Sequence, residues 1–280
     1  MQLAMKNKVI AAAMAAALCL CVAPALAMAT PAKAHAAGKT NINECDITVE
    51  TEKYVAKTDK WKDLAAYKGG KAVKPKVVVT YYEPGRYDEA TGTHIEGKII
   101  TLKKGKDYTV TYKNNKKVGT AMAIVKGKGA YKGKSIETFS ISPKVTKVTK
   151  VKGAKKALTV SWKKLSAAQA DGYRVDVYTR GDKYVTTIDG KKYTRYHYTF
   201  VKSALVKDYK KTSTTIKGLK AKTKYYVTVA PYKMASGTYN AITPVWNDKG
   251  DKIIRRVTVT NPYAGVYWGN TSDYKAGKTK

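Results

Sequence analysis

Apolar and polar residues alternate with a period of two over most of the chain, which is the pattern of half-buried β-strands. Asp107-Tyr-Thr-Val-Thr-Tyr112 puts Tyr108, Val110 and Tyr112 on one face. Leu158, Val160 and Trp162 form a second such set, and Tyr173, Val175 and Val177 a third. β-Branched and apolar runs at 77–81, 98–102, 121–125, 137–141, 212–219, 225–229 and 256–260 predict further strands, the run at 256–260 being the last. A short strand is predicted at 47–51, and Trp61 to Tyr67 reads as a turn of helix or a loop. Turn chemistry separates the runs: Glu83-Pro-Gly85, Ala90-Thr-Gly92, Lys104-Gly105, Lys113-Asn-Asn-Lys116 and Lys126-Gly-Lys-Gly129. Evenly spaced strands with no amphipathic helix between them predict an all-β chain of antiparallel sandwiches.

One apolar run breaks the alternation. Lys6 and Lys8 precede Val9 to Ala23, Pro24 follows, and small residues come next. That three-part layout predicts a signal peptide over 1–36, cleaved somewhere in 27–37, after Ala27, Ala29 or Ala36. The competing reading, an uncleaved anchor, needs about 20 apolar residues, more than this run supplies. Cys19 and Cys21 follow Leu18 and Leu20, whereas a lipoprotein signal wants a small residue there. The expected location is therefore secreted and extracellular, with loose association to a cell wall as a further expectation. No membrane span is expected after cleavage, and no sorting motif is seen at the C-terminus.

Charge sharpens this picture. The chain carries 54 Lys+Arg against 20 Asp+Glu, and most of the basic residues are lysine. Lysine is a hydrated point charge, whereas arginine is the fork that reads phosphates and bases. The lysines are spread along the whole chain, which argues for a diffuse positive surface and against a specific nucleic-acid site. The expected partners are anionic cell-envelope polymers, acidic glycans or a host surface protein. An equal alternative is that lysine coats exposed strands and keeps sheet edges from pairing. Cys45 is the only thiol beyond the leader, so no intramolecular disulfide is available and the core must hold the fold. An apolar content of 44% suffices for that.

Two resemblances follow from these residues. Leu102-Lys-Lys-Gly-Lys-Asp-Tyr-Thr-Val-Thr-Tyr-Lys-Asn-Asn-Lys116, Val118 to Ala121, Lys126 to Gly133 and Phe139 to Ile141 resemble an immunoglobulin-like repeat of secreted and surface proteins of Gram-positive bacteria. The second half resembles a fibronectin type III domain. Trp162 matches that family's buried second-strand tryptophan and Tyr173 its third-strand aromatic. Leu219-Lys-Ala-Lys-Thr-Lys-Tyr225 matches its leucine-turn-tyrosine corner, with Ala221 where the family has proline. The resemblance implies structural roles for Trp162, Tyr173, Leu219 and Tyr225, and a backbone bond from Tyr225. The expected fold is two immunoglobulin-like antiparallel β-sandwiches in tandem after a signal peptide. An immunoglobulin-like sandwich is expected over 44–143 and a fibronectin type III-like domain over 144–262, entered through a Lys144–Lys150 linker. Residues 263–280 form an aromatic, glycine- and lysine-rich tail, read as a flexible end or as a strap.

Candidate chemistry is sparse. His94, His197 and Cys45 do not converge at ligand spacing, so no metal and no cofactor is expected. Gly133-Lys134-Ser135 lacks the earlier glycine of a phosphate-binding loop and reads as a β-turn. No glycine-flanked serine nucleophile is present and no catalytic residue is assigned, so the chain is read as not an enzyme. Lys113 to Lys116 reads as a solvent turn, the alternative being a lysine–asparagine isopeptide bond. Arg180-Gly181-Asp182 is an integrin-type tripeptide, expected in a loop at the end of the third strand; chance also produces such tripeptides. The stretch 180–211 exceeds the usual connection and reads as an enlarged middle hairpin. Tyr193, Tyr196, Tyr198, Tyr263, Tyr267 and Trp268 are candidates for a stacking surface, or else pack as core and strand-pair residues. The functional expectation is a non-catalytic secreted or surface-associated modular protein with an adhesion, binding or spacer role. The alternatives are a carbohydrate-binding accessory and a secreted hydrolase whose site is not recognised.

Overall fold

The computed structural model describes residues 39–246 and 252–280, and over 236–264 only the course of the backbone. The leader expected over 1–36, with Cys19, Cys21 and His35, lies outside the described residues. Residues 39–280 form one compact unit. Its described residues hold two separate hydrophobic cores, one drawn from 42–141 and the other from 148–229. All the regular structure described is β apart from a short 3-10 turn at Ile42–Glu44, as the alternation implies.

In the first half the strands are β1 (Thr40–Asn41), β2 (Asp46–Glu50), β3 (Glu52–Val55), β4 (Lys60–Asp63), β5 (Lys76–Glu83) and β6 (Arg86–Asp88). They continue with β7 (Thr93–Ile95), β8 (Lys98–Thr101), β9 (Tyr108–Lys113), β10 (Gly119–Gly127), β11 (Tyr131–Lys132) and β12 (Lys134–Ile141). Sheet β2-β5-β8 faces sheet β12-β10-β9 across the first core. Every second residue of β10 turns inward, so Ala121, Ala123 and Val125 are fully buried. Tyr108 ties the two sheets by donating its hydroxyl to the Val77 carbonyl at 2.9 Å.

Two details of this half differ from the sequence reading. Trp61 lies in β4, which pairs with β3 as a hairpin, because Tyr54 opposite it supplies an aromatic cross-strand partner. Asn114 takes the left-handed conformation expected of the turn, at φ 55°. Asn115 beside it is buried rather than solvated, and its amide donates to the Val73 carbonyl at 2.8 Å.

In the second half the strands are β13 (Val148–Ala154), β14 (Ala157–Trp162), β15 (Gly172–Ile188), β16 (Lys191–Val206), β17 (Ser213–Lys217), β18 (Lys224–Trp246), β19 (Lys252–Trp268) and β20 (Lys275–Lys278). Sheet β13-β14-β17 packs on the sheet ordered β16-β15-β18, with Trp162, Tyr173, Val175, Val177 and Val227 between them. Strands β15 and β16 form a long hairpin that turns at Asp189-Gly190, both at positive φ (49° and 72°). A two-residue turn of that kind carries the right-handed twist of the strands through the reversal.

The boundaries drawn from sequence move. The linker ends at Val148, whose buried side chain begins β13. The run at 256–260 is not the last strand: it belongs to β19, which pairs with the distal part of β18. The strand that closes the sandwich is β20, inside the segment read as a separate tail, and it pairs with Lys224–Val227 at the start of β18. Gly277 lies so close against Val151 and Leu158 that no side chain fits there. The second sandwich therefore runs through 278, not to 262, with a β18–β19 arm inserted before its closing strand.

Candidate functional site

The two halves meet around a groove of about 1370 Å³. The β3–β4 hairpin forms one wall, residues 144–148 and 163–165 another, and the stretch 269–275 leading into β20 a third. Hydrogen bonds hold these walls in register. Asn270 Nδ2 donates to the Trp61 carbonyl at 2.8 Å, and Lys60 Nζ reaches Asp273 Oδ1 at 2.7 Å. The Lys163 N–H donates to the Lys147 carbonyl at 2.9 Å, and Thr146 Oγ1 to the Lys163 carbonyl at 2.6 Å. Ser142 Oγ donates to the Asp63 carboxylate, which joins the end of the first sandwich to the hairpin.

The groove is electrically one-sided. Among the described lining residues seven are lysines (60, 62, 144, 147, 163, 164 and 275) against two acids, Asp63 and Asp273, and none is arginine or glutamate. Both acids are engaged internally, Asp63 with Ser142 and the Ala65 N–H, Asp273 with Lys60. Uncompensated like charges in a concave wall focus a positive potential into the space between them. Trp61 stands at the wall half exposed, at 50%, with Tyr54 against one side at 5.5 Å between ring centroids.

Beside the groove, Tyr274 begins an aromatic cluster on the outer surface of the second sandwich. Its ring stacks on Tyr198 at 3.8 Å and 8°, and Tyr178 meets it edge-on at 5.4 Å. Burial pushes the Tyr274 phenol up to about 12, and Tyr178, Tyr198 and Asp176 add to the shift. Arg180 lies over the rings of Tyr196 at 4.2 Å and Tyr226 at 4.8 Å. Cation–π contacts of this kind fix a guanidinium in place.

The structure scatters the aromatic residues singled out from sequence. Tyr193 and Tyr196 are three residues apart on β16 and so lie on opposite faces. Tyr198 spends one ring face on Tyr274. The Tyr267 hydroxyl shares a 2.6 Å hydrogen bond with Thr120 of the first half. Trp268 lies under the Arg174 guanidinium at 4.9 Å and against Tyr232 at 5.2 Å. The side chain of Tyr263 lies outside the described residues. The five whose side chains are described do not form one stacking platform.

The tripeptide Arg180-Gly181-Asp182 is not at a loop tip. It lies within β15, where the pairing with β16 shifts register between Arg180 and Lys183. The bulge absorbs Gly181 and Asp182, and the Arg180 guanidinium, though exposed, lies against the rings of Tyr196 and Tyr226. Trp162 and Tyr173 pack together at 5.2 Å in the second core, and the Tyr173 hydroxyl accepts from the Leu165 N–H at 2.9 Å. Leu219 is buried, and the buried Tyr225 accepts from the Lys220 N–H at 3.0 Å, across the turn between them.

The residues that sequence reasoning missed are Trp61 and the lysines that share its groove. Their only sequence signal was a tryptophan in a region without clear periodicity and the Lys144-Val-Thr-Lys147 run between the halves. Among the described residues no group of three or more His, Cys, Asp or Glu side chains is placed to hold a metal ion. Burial raises the Cys45 thiol to about 11, with Glu44 and Asp46 adding to the shift.

Residues 142–245 match the family model of the fibronectin type III domain. The match covers the second core from the entry into β13 to the end of β18, and it stops before β19 and the closing strand β20. It does not extend over the first half, whose immunoglobulin-like resemblance stands as an expectation. No curated protein matches the chain.

Proposed function

We propose that this chain, with its fibronectin type III domain, is an exported, non-catalytic binding protein held to anionic polymers of an envelope or host surface. Fibronectin type III domains are generic binding and spacer modules, which is compatible with a role without chemistry. The observation that carries the proposal is the groove between the two halves, with seven lysines against two aspartates that are already engaged. The formal net charge of +34 adds a long-range pull on any polyanion. The leader-like N-terminus supports export, and the lysine surface supports retention after it.

Retention of this kind weakens steeply with ionic strength, because the Debye length falls from about 10 Å at 0.1 M salt to about 3 Å at 1 M. The test is fractionation of producing cells with and without a high-salt wash. The protein is expected with the cells at low salt and in the wash at high salt. If it stays in the cytoplasm, export is wrong. If high salt releases none of the cell-bound protein, electrostatic retention is wrong.

A further inference from the structure

We infer that the groove seats an anionic glycan chain, with one sugar face on Trp61 and its acidic groups on Lys62, Lys144, Lys147 and Lys163. The inference rests on the polyanion reading above and adds where the polymer sits and what it is made of.

Four of the groove lysines are available. Lys60 is paired with Asp273, Lys275 donates to the Thr149 carbonyl at 2.7 Å, and the Lys164 ammonium lies over the Tyr209 ring at 5.7 Å. Lys62, Lys144, Lys147 and Lys163 are exposed, and their ammonium groups have no hydrogen bond or ion pair among the described residues. They stand on both sides of the groove, Lys62 on β4 and the other three on the second half and the segment entering it.

Trp61 supplies the second, independent signal. Its backbone carbonyl is held by Asn270, so the ring is carried on a fixed wall. One side packs on Tyr54, yet half of the residue's surface is left open. A large rigid ring with an open apolar face and a polar surround is the platform on which the C–H face of a sugar packs. Gln169 and Thr271 line the same groove with neutral polar groups suited to hydroxyls.

Shape points to a linear occupant. A second cavity of about 480 Å³ shares Asp63, Ala66, Lys144 and Gln169 with the first and continues to Lys68. The space is thus elongated and open rather than a closed pocket for one small molecule. Its chemistry separates the polymers. Single-stranded nucleic acid is tracked by successive stacking rings; here Trp61 is half open, and the other ring among the described lining residues, Tyr274, already stacks on Tyr198. An acidic peptide would use the lysines and leave the indole idle.

The test is titration calorimetry on the mature full-length chain with four probes: heparin, polyglutamate, oligothymidylate and neutral dextran. Two matched variants carry the same charge loss. One is K62Q/K144Q/K147Q/K163Q in the groove, the other K104Q/K116Q/K191Q/K220Q elsewhere. Heparin affinity is expected to fall on the order of 10–100-fold in the groove variant and no more than about threefold in the other. Trp61→Ala is expected to cost about tenfold for heparin and nothing for polyglutamate, while Trp61→Phe keeps most of the affinity. Equal losses in the two quadruple variants overturn the groove and leave the polyanion reading standing. No binding of any polyanion overturns both. Oligothymidylate binding as tight as heparin and equally dependent on Trp61 overturns the glycan in favour of a nucleic acid. Heparin binding indifferent to Trp61→Ala, with an unchanged melting temperature, overturns the stacking.

Discussion

Arg195, on the long β15–β16 hairpin, reaches the first half and donates from Nη2 to the Tyr54 hydroxyl at 3.1 Å. The same nitrogen donates to the Ala56 carbonyl at 3.0 Å, Nη1 pairs with Asp59, and Tyr54 in turn donates to Asp59 at 2.9 Å. Arg195 is 8% exposed, so one guanidinium from the second half closes a small polar network around the turn of β3–β4. That turn belongs to the hairpin that carries Trp61.

Loss of this network should loosen the hairpin. Arg195→Ala is expected to destabilise the chain by about 1–3 kcal/mol, because it removes a buried charged donor from the half-buried Tyr54 and Ala56 acceptors. Arg195→Lys should recover little, since the ammonium's three donors radiate from one nitrogen and do not reproduce the planar fork whose two nitrogens reach Tyr54, Ala56 and Asp59. Urea denaturation would read both, and hydrogen exchange should show the loss of protection concentrated in β3 and β4.

Truncation before β20 tests the revised boundary. A chain ending at Asn270 lacks the strand that pairs with Lys224–Val227, and it uncovers Val151 and Leu158 where Gly277 packs. It is expected to lose cooperative unfolding, whereas a flexible tail would leave the melting curve unchanged.

The second core should answer to Trp162 and Tyr173. Trp162→Ala is expected to cost about 3–5 kcal/mol through the cavity it leaves. Tyr173→Phe keeps the ring against Trp162 but strips the Leu165 N–H of its acceptor, at about 1–3 kcal/mol. Chemical denaturation of the two variants side by side would separate packing from hydrogen bonding.

Alkaline pH should weaken the fold. The folded chain holds the Tyr274 proton up to about 12, against an ordinary phenol value of 10.0. Between those values the unfolded state binds fewer protons than the folded one, so stability is full below pH 10 and falls as pH rises to about 12. Burial raises Tyr178 and Tyr173 in the same direction. Denaturation midpoints across this window should drop less in Tyr274→Phe, which keeps the stack on Tyr198 and removes the titrating hydroxyl. An identical drop in the variant would exclude Tyr274 as a contributor.

Cys45 should be inert while the chain is folded. Its thiol is buried and raised to about 11, so little nucleophilic thiolate exists near neutral pH. Alkylation by iodoacetamide is expected only after denaturant is added, with mass spectrometry as the readout.

The alternating runs were legible because a strand's side chains point to its two faces in turn. Ala121, Ala123 and Val125 name the buried face of β10, and Leu158, Val160 and Trp162 that of β14. The tripeptide was misread because a bulge inside a strand looks, in sequence, like the glycine of a turn. Trp61 was left without a role because an exposed indole carries no periodic signal. Lys275-Ala-Gly-Lys278 has no strand pattern at all, since its hydrogen bonds come from the backbone of β18 and its close fit from the absence of a side chain at Gly277.

By itself, then, the sequence determined the all-β class, the inward faces of both cores and the excess of positive charge, because each is a local property of side-chain order and composition. Tertiary structure alone decided which strand closes the second sandwich, where Arg180-Gly181-Asp182 lies and that Lys62, Lys144, Lys147 and Lys163 share a groove with Trp61. These depend on which distant backbone a strand pairs with and how two cores meet, and no run of neighbouring residues encodes either.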